Sequence, residues 1–405
     1  MWILRLTFIA LMVAAAPAAA LAQSSRDLET RGTLTADNGQ LAPNVWAGVS
    51  RTDALQLVDA IPTRMVSPIY YDLARKLLLS DAPAFPAEKQ APADKDKNAQ
   101  NQAPRPDMLI ARIDKLLGLG ALRDAQNLYD SVVDEPDNFD LAYRGLQMLM
   151  LRGQLSAACL DLQAMQYRLG ADDRWKEFNR FCRIRFATGA EHDKLLSESK
   201  FTALPIIDKA LRNQLPAKTT SLTTEQLAYT VAMGNIGPDS VSTLASKAGA
   251  MQPLLLTVLL NLDTPEAVPQ KTCLAIEAVR RGLMPTRDLI TLYEKPHYEA
   301  ALLLDGVGTS PAAANIHPCM IPTVLYQRIA SNLKTPLRDK AIREALDVMK
   351  DLPDAAFWPM ALYFRDFDVK AAANKPYLWR VSRIVAYEKG DLPENWQFGW
   401  GAKGG

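Results

Sequence analysis

Two short segments 33 residues apart constrain the fold of this sequence more than any other feature. Residues 120–125, GALRDA, recur as residues 153–158, GQLSAA. In each copy a glycine allows the chain to reverse after one helix, a leucine anchors the next helix, and an alanine lets two helix backbones approach closely. A period in the thirties is typical of paired-helix repeats such as the tetratricopeptide class. The sequence therefore predicts helical hairpins that stack as a tetratricopeptide-like (TPR-like) α-solenoid.

The number of copies leaves an alternative open. Tyr129 in the first copy corresponds to Leu162 in the second, so an apolar position is kept, but a third copy beginning at Gly189-Ala190 is weak. Repeats of this kind need about three or more units to stack stably. Two matching turns also occur by chance in an ordinary helical bundle, which is the alternative within the same fold class.

Helical patterns follow one another along most of the chain, and no alternating strand pattern interrupts them. Ser67-Pro68 and Thr335-Pro336 are helix starts, because proline fits the first helical turn. We therefore predict an all-α protein. After the linker described below, the predicted helices lie near residues 107–118, 121–133, 138–151, 154–168, 173–187, 203–214, 223–233, 238–248, 252–261, 270–282, 287–304, 320–332, 336–350, 354–366 and 376–388.

Composition divides the chain into segments. Residues 81–106 are rich in Pro, Ala, Lys, Asp and Gln, and such a segment cannot bury enough apolar area to order itself. It indicates a disordered linker, with a docking segment as the alternative. The predicted segments are a signal peptide (1–22), a flexible lead (23–44), an N-terminal helical pair (45–80), the linker (81–106), TPR-like helical repeats (107–262), C-terminal helical repeats (263–390) and an aromatic tail (391–405).

The N-terminus has the three parts of a secretory signal peptide. Arg5 precedes an apolar run from Leu6 to Ala16, and Ala20-Leu21-Ala22 is a small-residue cleavage site. We expect cleavage after Ala22 and export, most simply into a bacterial periplasm; an uncleaved N-terminal anchor is the alternative. No later stretch is long and apolar enough to predict a transmembrane span.

The charge balance of the mature chain argues against a nucleic-acid partner. Removal of the signal peptide takes one basic residue, Arg5, and leaves 45 basic against 45 acidic residues. A chain without excess positive charge lacks the basic surface that nucleic-acid binding requires. We therefore expect no nucleic-acid partner.

The mature length, 405 residues less 22, suits two domains or one extended solenoid.

The four cysteines predict two disulfides, since an even number in an exported chain favours pairing. Cys159 and Cys182 lie on consecutive helices at similar distances from a turn near Gly170, so they can face each other across an antiparallel hairpin. Cys273 and Cys319 each open a helix, and those helices can run parallel with both thiols at the same end. Buried free thiols are the alternative. The absence of a Cys-x-x-Cys motif favours structural bridges over redox-active ones.

Residues that could carry chemistry are few. Of His192, His297 and His317, only His317 has a nearby ligand type, in His317-Pro-Cys319. Zinc needs three or four ligands, so we predict a capping or surface histidine and no metal. The glycines of residues 305–311 lack the strand–turn–helix context of a phosphate loop, and no nucleophile motif is present. We therefore expect no cofactor, no catalytic residues and no enzyme.

Two aromatic groups favour different interpretations. Trp175, Phe178 and Phe181 fall on one helix face, which predicts core packing rather than a ligand site. The C-terminal tail contains aromatic residues that either fold back onto the last helices or form a short partner-binding motif. These possible partner-binding residues are Trp396, Phe398 and Trp400.

Several of these segments together resemble a known group of proteins. The similar features are Ser67-Pro68 followed by DLARKLLL at 72–79, the linker, the Gly120 and Gly153 repeats, Ala158-Cys159, and Trp175 with Phe181-Cys182. Over about residues 45–190 the chain is similar to exported α-helical proteins of α-proteobacteria, some of which carry the automatic label "antifreeze glycopeptide polyprotein". The label finds no support, because the chain has no simple Ala/Thr tripeptide repeat. The resemblance implies an exported helical-repeat fold and no enzymatic residues.

Three functional hypotheses follow. The first is a periplasmic helical-repeat scaffold or assembly factor for a cell-envelope machine, with an unidentified envelope protein or peptide as its partner. The second is an envelope enzyme that acts on peptidoglycan or glycan through scattered carboxylates. A deep cleft with two facing carboxylates, one with a raised pKa, would favour it. The third, a flagellar-motor or motility accessory protein, is a special case of the first.

Overall fold

A computed structural model of the protein describes residues 29–46, 48–64, 67–82, 107–133, 136, 138–216, 218–263, 268–307, 316–348 and 351–365. Every regular element within these ranges is helical, so the prediction of an all-α protein is confirmed. The predicted signal peptide, nearly all of the linker and the aromatic tail lie outside the described residues.

The α-helices follow one another with short connections. In chain order they are α1 Arg51–Ala60, α2 Pro68–Leu79, α3 Asp107–Gly118, α4 Leu122–Val132, α5 Phe139–Leu151, α6 Leu155–Ala164, α7 Gln166–Leu169, α8 Asp173–Phe186, α9 Gly189–Glu198, α10 Pro205–Leu211, α11 Thr224–Ala232, α12 Pro238–Ala245, α13 Pro253–Asn261, α14 Val268–Arg281, α15 Thr286–Glu294, α16 Ala300–Asp305, α17 Ile321–Ser331, α18 Leu337–Val348 and α19 Ala361–Arg365. Short 3₁₀ helices cover Ala36–Asn38, Pro43–Trp46, Ala248–Ala250, Pro318–Met320 and Asp354–Met360.

The two repeated glycines end helices in the same way. Gly120, between α3 and α4, has φ of 79°, and Gly153, between α5 and α6, has φ of 74°. In both turns the glycine N–H donates to the carbonyl three residues back, and the next N–H donates to the carbonyl five residues back. This is the Schellman motif, in which a left-handed residue satisfies the last carbonyls of a helix. The turns at Gly234 and Gly282 repeat it.

The packing of the hairpins departs from an open solenoid. In a solenoid each repeat contacts only its neighbours. Here α5 packs along α11 as well as α4 and α6, and α13 packs on α3. The Tyr143 hydroxyl donates to the Tyr229 hydroxyl at 3.1 Å, and the Thr257 hydroxyl donates to the Gly120 carbonyl at 2.9 Å. Helical hairpins are therefore present, but a TPR-like solenoid is not confirmed, because distant helices cover the repeats.

Two hydrophobic clusters meet at α14. Leu274 and Ala278 of this helix belong to the first cluster, which begins at Trp46. Ala275 and Val279 belong to the second, which extends to α19. The boundary predicted between residues 262 and 263 therefore lies ahead of a helix that contributes to both cores.

The aromatic positions predicted as core are fully buried. Trp175, Phe178 and Phe181 of α8 have no exposed surface. Phe178 and Phe181 pack against the ring of Tyr229 at centroid distances of 6.3 and 5.2 Å. The aromatic face of α8 thus joins α11 to the repeats, and aromatic pairs of this geometry add to the stabilisation from buried area.

A buried arginine holds the first described residues against α2 and α3. Arg112 of α3 is 1% exposed, and its guanidinium donates to the carbonyls of Leu78 at 2.6 Å, Arg31 at 2.7 Å, Ser80 at 3.0 Å and Glu29 at 3.2 Å. Burial lowers the pKa of Arg112 to about 10. From Glu29 onward, the segment predicted as a flexible lead is therefore hydrogen-bonded to the core.

Several predicted helix limits differ from the structure. The single helix predicted over 287–304 is two helices, α15 and α16, because Pro296 lies between them and has no N–H to continue the hydrogen bonds of α15. The helix predicted over 354–366 begins as a 3₁₀ helix that contains Pro359. Helix α9 was not predicted, since none of its residues is fully buried and its apolar pattern is weak.

Candidate functional site

The structure forms both of the disulfides that the sequence predicts. Cys159 of α6 pairs with Cys182 of α8, with the Cα atoms 5.9 Å apart, and both residues are buried. Cys273 of α14 pairs with Cys319 of the 3₁₀ helix Pro318–Met320, with the Cα atoms 5.2 Å apart. Crosslinks over loops of these lengths stabilise a fold by about 3–4 kcal/mol when unstrained.

The second disulfide lies in the wall of a surface pocket. Unlike the first pair, Cys273 and Cys319 are only partly buried. The pocket has a volume of about 370 Å³ and is lined by residues of α12, of α14, of the 3₁₀ helices Ala248–Ala250 and Pro318–Met320, and of the loops beside them. Ligand pockets in proteins typically measure about 300–1,000 Å³. This pocket, called here the α14 pocket, is therefore a candidate small-molecule or ion site.

A histidine stands beside the disulfide at the rim of the α14 pocket. The Cys319 backbone N–H donates to Nδ1 of His317 at 3.3 Å, so the side chain caps the 3₁₀ helix, as the sequence predicts for a capping histidine. A ring nitrogen of His317 and the sulfurs of Cys273 and Cys319 all lie within 4.8 Å of one another. The sequence showed the His317-Pro-Cys319 pairing, but Cys273 joins it only through the fold.

Glu277, which lines the α14 pocket, belongs to an ion-pair network. The Glu277 carboxylate accepts from Arg280 at 2.6 and 2.7 Å and from Arg281 at 2.5 Å. Arg281 is itself buried and donates to the carbonyls of Met251, Ala248 and Gly249 at 2.7–3.0 Å. Burial disfavours the Glu277 carboxylate, but the hydrogen bonds from Arg280 and Arg281 outweigh it, so the pKa of Glu277 lies below its ordinary value.

One polar atom of the pocket lining lacks a partner. The side-chain oxygen Oε1 of Gln270 is buried and accepts no hydrogen bond within the described structure. A buried acceptor without a donor costs about 1–3 kcal/mol. Gln270 therefore has an unsatisfied acceptor next to the α14 pocket.

The Glu277 network predicts acid sensitivity. A carboxylate whose folded pKa is depressed stabilises the fold above its unfolded pKa of about 4.3, and this stabilisation is lost as the pH falls through the folded pKa. We expect Glu277→Gln to lower the free energy of unfolding by about 2–4 kcal/mol at pH 7, because Arg281 keeps its charge without its anion. The loss should shrink as the pH falls below about 4. Urea unfolding of the wild-type and Glu277→Gln proteins at pH 7 and at a pH below about 4 measures this loss.

The control for that experiment is Asp288→Asn. Asp288 forms an exposed ion pair with Arg287 at 3.6 Å, and such pairs contribute less than about 1 kcal/mol. A Glu277→Gln effect that is equal to the control, or that does not change with pH, would contradict the assignment.

A second pocket contains two carboxylates, which is the arrangement that the enzyme hypothesis requires. Asp130 and Asp161 line it with Tyr129 and Gly145. Burial raises the pKa of both carboxyls, and the charge of Asp130 raises that of Asp161 further. Its volume is about 50 Å³, which is far below that of a typical ligand pocket. A few water molecules fit there, but a sugar ring does not.

Helix α2 presents an apolar face to solvent that the sequence analysis did not identify. Ile69, Tyr70 and Leu73 are 77%, 65% and 51% exposed. These three residues, called here the α2 face, lie on adjacent turns of one side of the helix. The opposite side, including Tyr71 and Leu78, is buried. The only sequence signal was a helix with apolar residues on more than one side.

No family model, no curated protein and no solved structure matches this chain. The similarity to exported α-proteobacterial helical proteins therefore stays a prediction.

Two structural observations bear on export. The two disulfides fit an exported chain, since such bonds persist in oxidising compartments. Among the described helices, none has the length and apolar character needed to cross a bilayer. Trp396, Phe398 and Trp400, the predicted partner-binding residues, lie outside the described residues.

Proposed function

We propose that this chain is a periplasmic helical-repeat protein that binds another envelope protein, as a scaffold or assembly factor for a cell-envelope machine. The observation that carries the proposal is the α2 face. Single exposed apolar residues are common on soluble proteins, but a cluster of three large ones on one helix is typical of a protein-interaction surface.

The α2 face is held rigidly, which favours binding because little ordering is needed. Arg75 of α2 donates to both oxygens of Asp124 in α4, at 2.5 and 2.9 Å. The start of α2 lies against the turn at Gly282, where an added Cβ would lie 2.9 Å from the Cα of Pro68. Contacts from two other parts of the chain thus fix the helix at both ends of its exposed face.

Charge and polarity favour a protein partner. Lys76 pairs with Asp72 at 2.6 Å on the same helix, so the charges beside the α2 face are balanced locally. The mature chain has no net charge, and neither feature attracts a polyanion. Apolar residues spaced over adjacent turns fit the apolar stripe of an amphipathic helix. The proposed occupant is therefore such a helix, supplied by an envelope protein.

The experiment is site-specific photo-crosslinking in the native periplasm. The variant Tyr70→p-benzoylphenylalanine places the crosslinker on the α2 face, and Tyr167→p-benzoylphenylalanine is the matched control, since Tyr167 is 71% exposed on the unrelated helix α7. We expect one dominant envelope protein at position 70, at least tenfold above position 167. Ile69→Ser with Leu73→Ser should abolish the adduct without changing the melting temperature.

Two results would count against the proposal. Equal adducts at both positions would indicate non-specific contact, and the absence of any adduct at high coverage would leave the α2 face without a partner. A further arm replaces Trp396, Phe398 and Trp400 by alanine. An adduct that survives this change assigns binding to the α2 face, and one that is lost moves it to the tail.

Two alternative functions make different demands on the structure and on the crosslinking result. An envelope enzyme acting on peptidoglycan or glycan would require a larger cleft than the one at Asp130 and Asp161. A flagellar-motor or motility accessory role is a special case of the scaffold, and the identity of the crosslinked protein distinguishes it.

A further inference from the structure

The geometry of the α14 pocket points to a reducible disulfide that, once opened by a dithiol, becomes a zinc site formed by Cys273, Cys319 and His317. The inference is independent of the α2 face. It departs from the expectation that both bridges are purely structural, which rested on the absence of a Cys-x-x-Cys motif. A fold can bring two distant cysteines and a histidine together without that motif, and here it does.

The two bridges differ in their access to a reductant. Cys159 and Cys182 are about 95% buried between α6 and α8, so an attacking thiolate cannot reach their sulfurs without local unfolding. Cys273 and Cys319 are partly exposed and line a pocket open to solvent. Access is a main determinant of thiol–disulfide exchange. The Cys273–Cys319 bridge is therefore expected to react first.

The dithiol supplies the electrons and protons that reduction of the Cys273–Cys319 bridge requires. A thiolate of the dithiol attacks one sulfur of the bridge and forms a mixed disulfide, while the other sulfur leaves as a thiolate. The second thiol of the reductant then displaces the remaining sulfur and the reductant becomes a disulfide. Two electrons and two protons have passed to Cys273 and Cys319.

The reduced pocket has the donors that zinc prefers. Zinc binds thiolate sulfur at about 2.3 Å and imidazole nitrogen at about 2.0–2.1 Å, usually in a tetrahedron. The three donor atoms already lie within 4.8 Å of one another, so after the bond opens, rotations of the cysteine side chains and loss of the His317 hydrogen bond to the Cys319 N–H bring them together. Binding releases the two thiol protons. The fourth position is available to water from the solvent-open pocket.

An open fourth position and a pocket of about 370 Å³ distinguish this site from a closed structural zinc site. Zinc bound there could accept a further ligand from solvent. The oxidised and reduced forms of the protein would then differ in metal content and in the chemistry of the α14 pocket. The pocket would act as a redox-dependent metal site.

The first experiment measures which bridge is reduced. The mature protein is treated with limiting dithiothreitol, free thiols are alkylated, and peptides are identified by mass spectrometry. We expect Cys273 and Cys319 to be labelled at least tenfold faster than Cys159 and Cys182. Equal rates, or labelling of Cys159 and Cys182 first, would overturn the inference.

The second experiment measures metal binding by the reduced chain. Zn²⁺ is titrated against a chromophoric chelator, and Co²⁺ serves as the spectroscopic probe of thiolate and imidazole ligands. We expect one ion per reduced chain, a thiolate-to-cobalt charge-transfer band, and no binding by the oxidised chain. The absence of binding after reduction would refute the site.

Variants separate the site from the fold. His317→Ala leaves both disulfides intact and should weaken zinc binding at least tenfold, while the oxidised protein should stay folded with only a small drop in melting temperature from the lost cap. Cys273→Ser with Cys319→Ser should abolish binding, and Cys159→Ser with Cys182→Ser is the matched control that should retain it. Unchanged affinity in the His317→Ala protein would show that the histidine is not a ligand and would overturn the three-residue site.

Discussion

Replacement of Arg112 by methionine should lower the free energy of unfolding by about 3–5 kcal/mol, because three buried carbonyl groups and one partly buried carbonyl group lose their donor. Those carbonyls belong to Glu29, Arg31, Leu78 and Ser80, which come from two segments of the chain. Methionine keeps most of the alkyl packing, so the loss reports the hydrogen bonds. Chemical denaturation of the protein measures it.

The control for Arg112 is Arg152→Met. Arg152 is exposed and donates to Gln126 at 2.8 Å, so its replacement should cost less than about 0.5 kcal/mol. Arg112→Lys should give an intermediate value, since an ammonium group cannot reach four carbonyls in a fixed plane. If the methionine variant fails to fold, the lysine variant still tests the assignment. A lysine variant as stable as the control would contradict it.

Alanine at Gly120 should destabilise the protein by about 2–5 kcal/mol, against about 1–2 kcal/mol for alanine at Gly153. Both glycines have positive φ, so both substitutions pay the cost of a left-handed alanine. Only at Gly120 would the new Cβ meet other atoms, 2.8 Å from the Pro253 carbonyl oxygen and 3.0 Å from the Thr257 hydroxyl. At Gly153 no atom lies within 4 Å.

The comparison of the two glycines isolates a tertiary contact. The turns have the same local motif, so the difference between the two variants measures how closely α13 packs on the first repeat. Thermal and urea unfolding of both variants gives that difference. Equal losses would show that α13 does not rest on the Gly120 turn.

The covered repeats also affect where a partner can bind. The side of α5 that faces α11 is occupied by the chain itself, as the Tyr143 and Tyr229 contact shows. A peptide cannot use that side without displacing α11. This is why the proposed function rests on the α2 face rather than on the inner face of the repeats.

Features that depend on neighbouring residues followed from the sequence. The Gly120 and Gly153 turns were predicted because a glycine after an apolar helix satisfies the last carbonyls. The burial of the α8 aromatic face followed from its spacing. The two cysteine pairs followed from their even number and from the order of the helices that carry them.

Contacts between distant segments did not follow from the sequence. Glu177 of α8 accepts hydrogen bonds from the N–H groups of Ala203 and Leu204 at 3.0 and 2.6 Å, and so holds the segment that leads into α10. Arg112 and Arg281 bind carbonyls that lie about 30 or more residues away along the chain. The sequence does not distinguish a buried charged residue from a solvated one. Only the assembled fold determines which carbonyls surround the side chain.

The candidate sites show the same division. The sequence shows that His317 and Cys319 are neighbours. Cys273 comes close to them, and the α14 pocket forms, only because the fold places α14 beside the 3₁₀ helix Pro318–Met320. The apolar residues of α2 predicted a helix, whereas its packing decided that Tyr71 is buried and that Ile69 and Tyr70 are exposed. Local hydrogen bonding and periodicity thus fixed the helices and their ends, since each depends on residues within a few turns. The arrangement of those helices depended on how much apolar surface distant segments could bury against one another, which only the tertiary structure decided.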